Sequence, residues 1–197
     1  LVLVHPYDDP AIIAGQSTVG LEILADWPEV ETIVVPIGGG GLISGIAIAA
    51  KAIKPDVRII GVQAEFYPSM RQAISGETPT SGGETLAEGI AVKTPGELTK
   101  AIIRDLVDEI LLVSETEIET AVCGLAEHGK IIAEGAGAAT LAALAQRPSL
   151  IDKTNVAAVV SGGNIDARML GSVLMRGLGR DGRLVRVRIE IHDEPGV

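Results

Sequence analysis

The chain has 197 residues, enough to bury the core of one α/β domain and to begin a second. Sixteen lysines and arginines against twenty-six aspartates and glutamates leave a net charge of −10, which argues against a general nucleic-acid or anionic-membrane surface and favours small-molecule chemistry. Apolar residues make up 47% but aromatics only 2%, so the core is aliphatic, and no run of about 18 uncharged apolar residues suggests a membrane span.

The chain opens on Leu1-Val2-Leu3-Val4 without an initiator Met, a basic leader or a cleavage signal, and it stops at Gly196-Val197 in mid-pattern. Both ends are expected to be cuts through a longer protein. Aliphatic runs at Val2 to Val4, Thr32 to Val35, Arg58 to Val62, Glu109 to Val113 and Val156 to Val160 read as buried strands. Helical stretches separate them, beginning at about Asp9 and about Leu42. Continuous apolar strands alternating with helices predict a doubly wound α/β fold, a parallel sheet covered on both faces.

Helix starts are marked at Asp9-Pro10, Thr94-Pro95-Gly96-Glu97 and Ser114-Glu115-Thr116-Glu117, where a side-chain oxygen precedes the first turn. The last two also carry the glutamate of a capping box. Between Ser75 and Gly96 the pattern gives way to Gly, Pro, Thr and Ser around a short apolar patch at Leu86 to Val92, a long loop of the kind that often carries function. The single Cys123 excludes an internal disulfide, fits a reducing, cytoplasmic setting and reads as a buried inert thiol on a helix.

Residues 166 to 197 hold six of the ten arginines, and Gly177-Leu178-Gly179-Arg180-Asp181-Gly182 reads as a linker, its core at 179–182. Beyond it Val185, Val187, Ile189 and Ile191 alternate with Arg186, Arg188, Glu190 and His192. A period of two means one buried and one wet face, so a second domain is expected from about Arg183.

The stretch Val34-Val35-Pro36-Ile37-Gly38-Gly39-Gly40-Gly41-Leu42 runs a buried strand into four glycines and then a helix. Glycines let main-chain N–H groups close around an anion, and the helix N-terminus adds the positive end of its dipole, so the expected ligand is a phosphate. A dinucleotide fingerprint is a near miss, with Gly39, Gly41 and Ser44 in frame and Glu65 as a ribose acceptor, and a P-loop fails because no lysine follows Gly45. A second strand ends in Ser161-Gly162-Gly163-Asn164. Ligands bind beyond the carboxyl ends of such strands, so both turns should face one crevice, although Ser161 reads equally well as a cap or turn former. A third stretch, Glu134-Gly135-Ala136-Gly137, has small residues where a helix approaches another backbone or a flat ring, with close helix packing the plain alternative.

Together these three motifs resemble the threonine ammonia-lyase family of fold-type-II pyridoxal-phosphate enzymes, which also holds serine dehydratases and serine racemase. His5-Pro6-Tyr7-Asp8-Asp9-Pro10, Ala14-Gly15-Gln16-Ser17-Thr18 and Pro95-Gly96-Glu97-Leu98 ahead of Asp108-Glu109-Ile110 are similar to the same family. The resemblance covers residues 1–178. It implies pyridoxal 5'-phosphate as cofactor, with its phosphate on the amides of Gly38, Gly39, Gly40, Gly41 and Leu42, its ring nitrogen on Ser161, and Glu134 beside it. A neutral hydroxyl at the ring nitrogen makes the cofactor a weaker electron sink, which favours loss of a β-hydroxyl over transamination.

The reaction implied is conversion of L-threonine to 2-oxobutanoate and ammonia, with the serine-directed activities of the same scaffold as alternatives. None of the six lysines matches the context of the family's Schiff-base lysine, so the catalytic residue is expected upstream of Leu1 and the fragment alone is expected to be inactive. The strand Gly61-Val62-Gln63-Ala64-Glu65 lacks the acids that hold a divalent cation in serine racemase-like members, and no metal is expected. Residues 183–197 resemble the start of an ACT domain, which implies an amino-acid effector. The family likeness also implies a homo-oligomer acting on small molecules, without nucleic-acid or membrane partners. Outside this class, a dinucleotide-binding module and an effector-binding fragment stand as alternatives.

Overall fold

Among the described residues four parallel strands form the sheet, in the order β3-β2-β1-β4. The computed structural model describes residues 4–152 and 154–189. In chain order the elements are α1 (Pro10–Asp26), β1 (Thr32–Pro36), α2 (Gly41–Ile53), β2 (Arg58–Ala64), α3 (Ser69–Ile74), α4 (Glu97–Leu106), β3 (Glu109–Val113), α5 (Glu115–Gly124), α6 (Gly135–Gln146), β4 (Val156–Ala158) and α7 (Ala167–Arg180). Short helical turns at Glu88–Ile90, Leu125–Gly129 and Pro148–Leu150 complete it.

Parallel pairing demands covered faces, and the strand sequences supply them. Ile33 and Val35 of β1 and Ile59 of β2 pack with Ile43, Ile46, Ala47 and Ala50 of α2 on one side. Val34, Ile60 and Val62 pack on the other side with Ala136, Ala139, Ala142 and Ala143 of α6, whose small side chains bring that helix close to the sheet. The doubly wound parallel fold read from the sequence is the observed one. The chain winds from β1 outward through β2 to β3 and then returns to pair β4 on the far side of β1, with Thr32, Ile33 and Val34 opposite Val156, Ala157 and Ala158. The topological switch point, where such sheets open a crevice, therefore lies between β1 and β4.

Two of the three helix starts cap as the sequence predicts. The Asp9 carboxylate accepts from the Ala11 and Ile12 amides, and Ser114 with Glu117 forms a complete capping box at α5. The Thr94 box does not form. Gly96 occupies the cap position of α4 and offers no side chain; instead Asp8, remote in sequence, accepts from the amides of Glu97 and Thr99, each at 3.0 Å. A carboxylate brought in by the fold takes the position that the local threonine was expected to fill.

Further differences concern the ends of the pattern. Val2 and Leu3 of the first expected strand lie outside the described residues, and Val4 joins no strand. The run at Val156 narrows to three strand residues, although the Val159 amide still donates to the Val34 carbonyl at 2.9 Å. The glycine run does not break the chain at Gly177. Helix α7 continues through Gly177 and Gly179 to Arg180, because Gly177 lets the helix press on the Cys123 sulfur, and the turn falls at Asp181 and Gly182, the latter at φ 69°. Val185, Val187 and Ile189 are about three-quarters exposed and pair with no strand among the described residues. The remainder of the alternating segment, from Glu190, lies outside them.

Candidate active site

Because β1 and β4 are adjacent and parallel, the turns that leave their carboxyl ends emerge side by side. Gly38, Gly39, Gly40, Gly41, Leu42, Glu134 and Ser161, all singled out by sequence, line one cavity of about 340 Å³. Of the three motifs, the glycine loop is built most clearly for an anion. Gly40 holds φ at 95°, a left-handed conformation that a side chain would strain, and α2 begins on it without any side-chain cap. Among the described residues the main-chain N–H groups of Gly39 through Ile43 make no internal hydrogen bond. An uncapped helix start lined by glycine amides leaves donors and the positive dipole end for a ligand to satisfy.

The second turn is held against α6. A Cβ on Gly137 would come within 2.7 Å of the Gly162 carbonyl oxygen, so only glycine permits that approach. The Glu134 amide donates to the same carbonyl at 3.1 Å, and Thr140 Oγ1 donates to the Val159 carbonyl at 3.3 Å. Glu134 therefore stands at the start of α6 with its carboxylate against Gly162 and Gly89. The small residues of this motif serve backbone packing, which in turn holds Glu134 and Ser161 at the cavity wall.

The third wall comes from the long loop that the sequence marks as one that often carries function, although no site residue is assigned there from sequence. Gly89, Ile90 and Val92, from the apolar patch in the long loop, line the cavity and pack on Gly38. That segment is tied down from outside: Glu115 accepts from the Thr85 hydroxyl and from the Leu86 amide, and Ser69 Oγ donates to the Val92 carbonyl at 2.6 Å. Tyr7 was likewise not foreseen as a lining residue, yet its ring lies directly over Gly39 and its backbone over Gly41, while its hydroxyl donates to the Thr94 carbonyl at 3.0 Å. The available signal for both was an aliphatic or aromatic residue inside a polar, turn-rich stretch. Glu65, the ribose acceptor of a dinucleotide reading, does not line the cavity. Gln63 is fully buried as a structural hub, its amide nitrogen donating to the Tyr67 carbonyl and its oxygen accepting from the Arg71 amide.

The model of the pyridoxal-phosphate dependent enzyme family matches residues 1–162. The chain belongs to that family. Its cofactor is pyridoxal 5'-phosphate, and the open amides of the glycine loop fit that molecule's phosphate better than they fit a dinucleotide, whose fingerprint is incomplete here. Among similar proteins, an L-threonine ammonia-lyase of Thermotoga maritima is 47% identical over 197 residues, covering 99% of this chain and 49% of that protein. An L-threonine ammonia-lyase of Geobacter sulfurreducens is 48% identical over 199 residues, with the same two coverages. The chain thus spans about half the length of these relatives. Among solved structures, threonine deaminase isoform 2 from Solanum lycopersicum superposes with a TM-score of 0.80 at 35% identity, covering 86% of this chain and 51% of that one. Maize serine racemase gives 0.79 at 38% identity, covering 89% and 56%. The family fold expected from the sequence is therefore the one found.

Proposed function

We propose that residues 1–178 are the cofactor-seating part of an L-threonine ammonia-lyase, which converts L-threonine to 2-oxobutanoate and ammonia. The observation that carries this reading is the convergence of the two glycine-rich strand ends on one cavity, in a chain close to half identical to proteins of that name. When bound, pyridoxal 5'-phosphate supplies an electron sink for the electrons released at the substrate Cα. The chain's residues divide the remaining work. Amides of Gly38 to Leu42 hold the phosphate, and Ser161 meets the ring nitrogen with a neutral hydroxyl, which keeps that sink modest and favours departure of the β-hydroxyl. Glu134, beside Gly89 and Gly162, borders the ring.

No lysine among the described residues lines the cavity, so the amine that carries the cofactor and moves the Cα proton comes from elsewhere in the full-length protein. The same reading takes the protein to be a cytoplasmic homo-oligomer with an amino-acid effector bound by an ACT-like domain that begins at about Arg183. The likeness to maize serine racemase favours a second reading, dehydration or racemisation of serine on this scaffold. Assaying the full-length protein for 2-oxobutanoate from L-threonine, pyruvate from L-serine and D-serine distinguishes them. Threonine turnover is expected to dominate in kcat/KM, and the 197-residue chain alone is expected to give none. Preference for serine by the full-length protein would move the assignment to the second reading.

A further inference from the structure

Four consecutive glycines lose more conformational freedom on ordering than any other residues would, so a phosphate seat made of them needs to be held from outside. Thr99 of α4 is positioned to do this. It is fully buried, it does not line the cavity, and its hydroxyl donates to the Gly39 carbonyl at 2.7 Å, with the Gly96 carbonyl a weaker alternative at 3.3 Å. In a trans peptide the C=O and the following N–H point in opposite directions. A Gly39 carbonyl pinned to α4 therefore turns the Gly40 N–H away from α4, and the loop's other side is the cavity wall.

Thr99 is held in turn by Asp8. That carboxylate receives the amides of Thr99 and Glu97 at 3.0 Å each, and the Asp8 amide donates to His5 Nδ1 at 2.9 Å. The approach of Asp8 requires glycine at 96, because a Cβ there would overlap its carboxylate. Gly96 itself has φ −72° and ψ 148°, values any residue adopts, so what restricts it is the space a Cβ would need, which the Asp8 carboxylate and, at 2.7 Å, Thr99 Oγ1 already occupy.

We propose that Thr99, fixed by Asp8 at the start of α4, is a positioning residue that presets the glycine loop for the cofactor's phosphate. The inference rests on reading Gly38 to Leu42 as the phosphate seat. Its signature is selectivity: losing the Thr99 bond weakens binding of the phosphorylated cofactor and leaves the unphosphorylated aldehyde alone. A general loss of structure weakens both.

The test uses the full-length apoenzyme titrated with pyridoxal 5'-phosphate and, separately, with pyridoxal. Thr99→Val keeps the shape and removes the donor. It is expected to raise the Kd for pyridoxal 5'-phosphate about tenfold, the scale of one lost hydrogen bond, with pyridoxal affinity within about twofold of wild type. Thr99→Ser, which keeps the hydroxyl, restores the phosphate preference. Gly96→Ala, whose Cβ displaces the Asp8 carboxylate and the Thr99 hydroxyl from outside the glycine loop, reproduces the Thr99→Val pattern and decides the matter if Thr99→Val does not fold. Unchanged preference in both Thr99→Val and Gly96→Ala, or equal weakening of the two ligands, overturns the proposal. A wild-type protein that does not prefer pyridoxal 5'-phosphate over pyridoxal overturns the phosphate-seat reading itself, and the inference with it.

Discussion

Glu119 shows how a single side chain can hold one helix on another. It projects from α5 and receives Arg176 through Nε at 2.8 Å and Arg180 through Nη2 at 2.7 Å, both from α7. Burial pushes its carboxyl up, but the hydrogen bonds and charges of the two guanidinium groups outweigh that and hold it below the ordinary carboxylate value. A carboxyl with a depressed folded-state pKa contributes stability above the unfolded-state value, near pH 4.5, and loses it as pH falls through the folded-state pKa. Glu119→Gln is accordingly expected to destabilise α7 docking by about 1–2 kcal/mol at pH 7 and to lessen the dependence below pH 4.5. Urea midpoints of wild type and variant from pH 7 to 3 check this; parallel curves over the whole range would falsify it. Nothing in the sequence paired Glu119 with arginines some sixty positions away. Legible at this scale were the local caps, Asp9 and Ser114, where partner and acceptor lie within three residues. The cap of α4 was missed for the complementary reason, since its acceptor Asp8 is contributed by tertiary structure.

At the scale of elements, strands and long helices were readable because their hydrophobic period repeats over several turns. The cavity's third wall was not, because residues 84–92 have almost no regular structure and owe their place to contacts made by other elements. Glu115, at the first position of α5, holds Thr85 and Leu86, and Gly135 admits the Leu86 carbonyl against the start of α6. Hydrogen bonds to a charged acceptor contribute more than neutral ones, about 1.5–3 kcal/mol each before relaxation. Both bonds are only part-buried, so water replaces much of what Glu115→Ala removes and the net local cost falls to about 2 kcal/mol; amide exchange across residues 85–92 of the full-length protein is expected to rise roughly thirtyfold, while α1 and α2 stay protected. Exchange that rises evenly across all elements would mean that Glu115 supports the fold at large and not this wall.

For the molecule as a whole, the order of buried runs was enough to predict the doubly wound sheet, and Gly38 to Gly41 with Ser161 to Gly163 were enough to predict a shared crevice, because parallel strands must release their turns on one edge. The C-terminal boundary was less legible: glycines at 177 and 179 looked like a break, but a helix tolerates glycine where another helix presses on it, as Cys123 does here. The chain's departure from the packed body is set by the amides of Arg183 and Leu184, which both donate to the Leu178 carbonyl and close α7, and by Arg183 on Glu127 at 2.8 Å. Beyond Leu184 the described side chains of Val185, Val187 and Ile189 stand in the open. A segment that buries so little surface contributes little to the body it leaves, within about 0.5 kcal/mol for exposed positions of this kind. Truncating the full-length protein after Leu184 is therefore expected to keep the affinity for pyridoxal 5'-phosphate and the rate on threonine within about twofold, and to abolish any response to amino-acid effectors. The truncation must spare Arg183 and Leu184, since cutting at Gly182 would also remove the two donors that close α7 and the ion pair on Glu127. If the protein truncated after Leu184 no longer takes up the cofactor, the domain boundary proposed at about Arg183 is misplaced and the alternating segment belongs to the catalytic body.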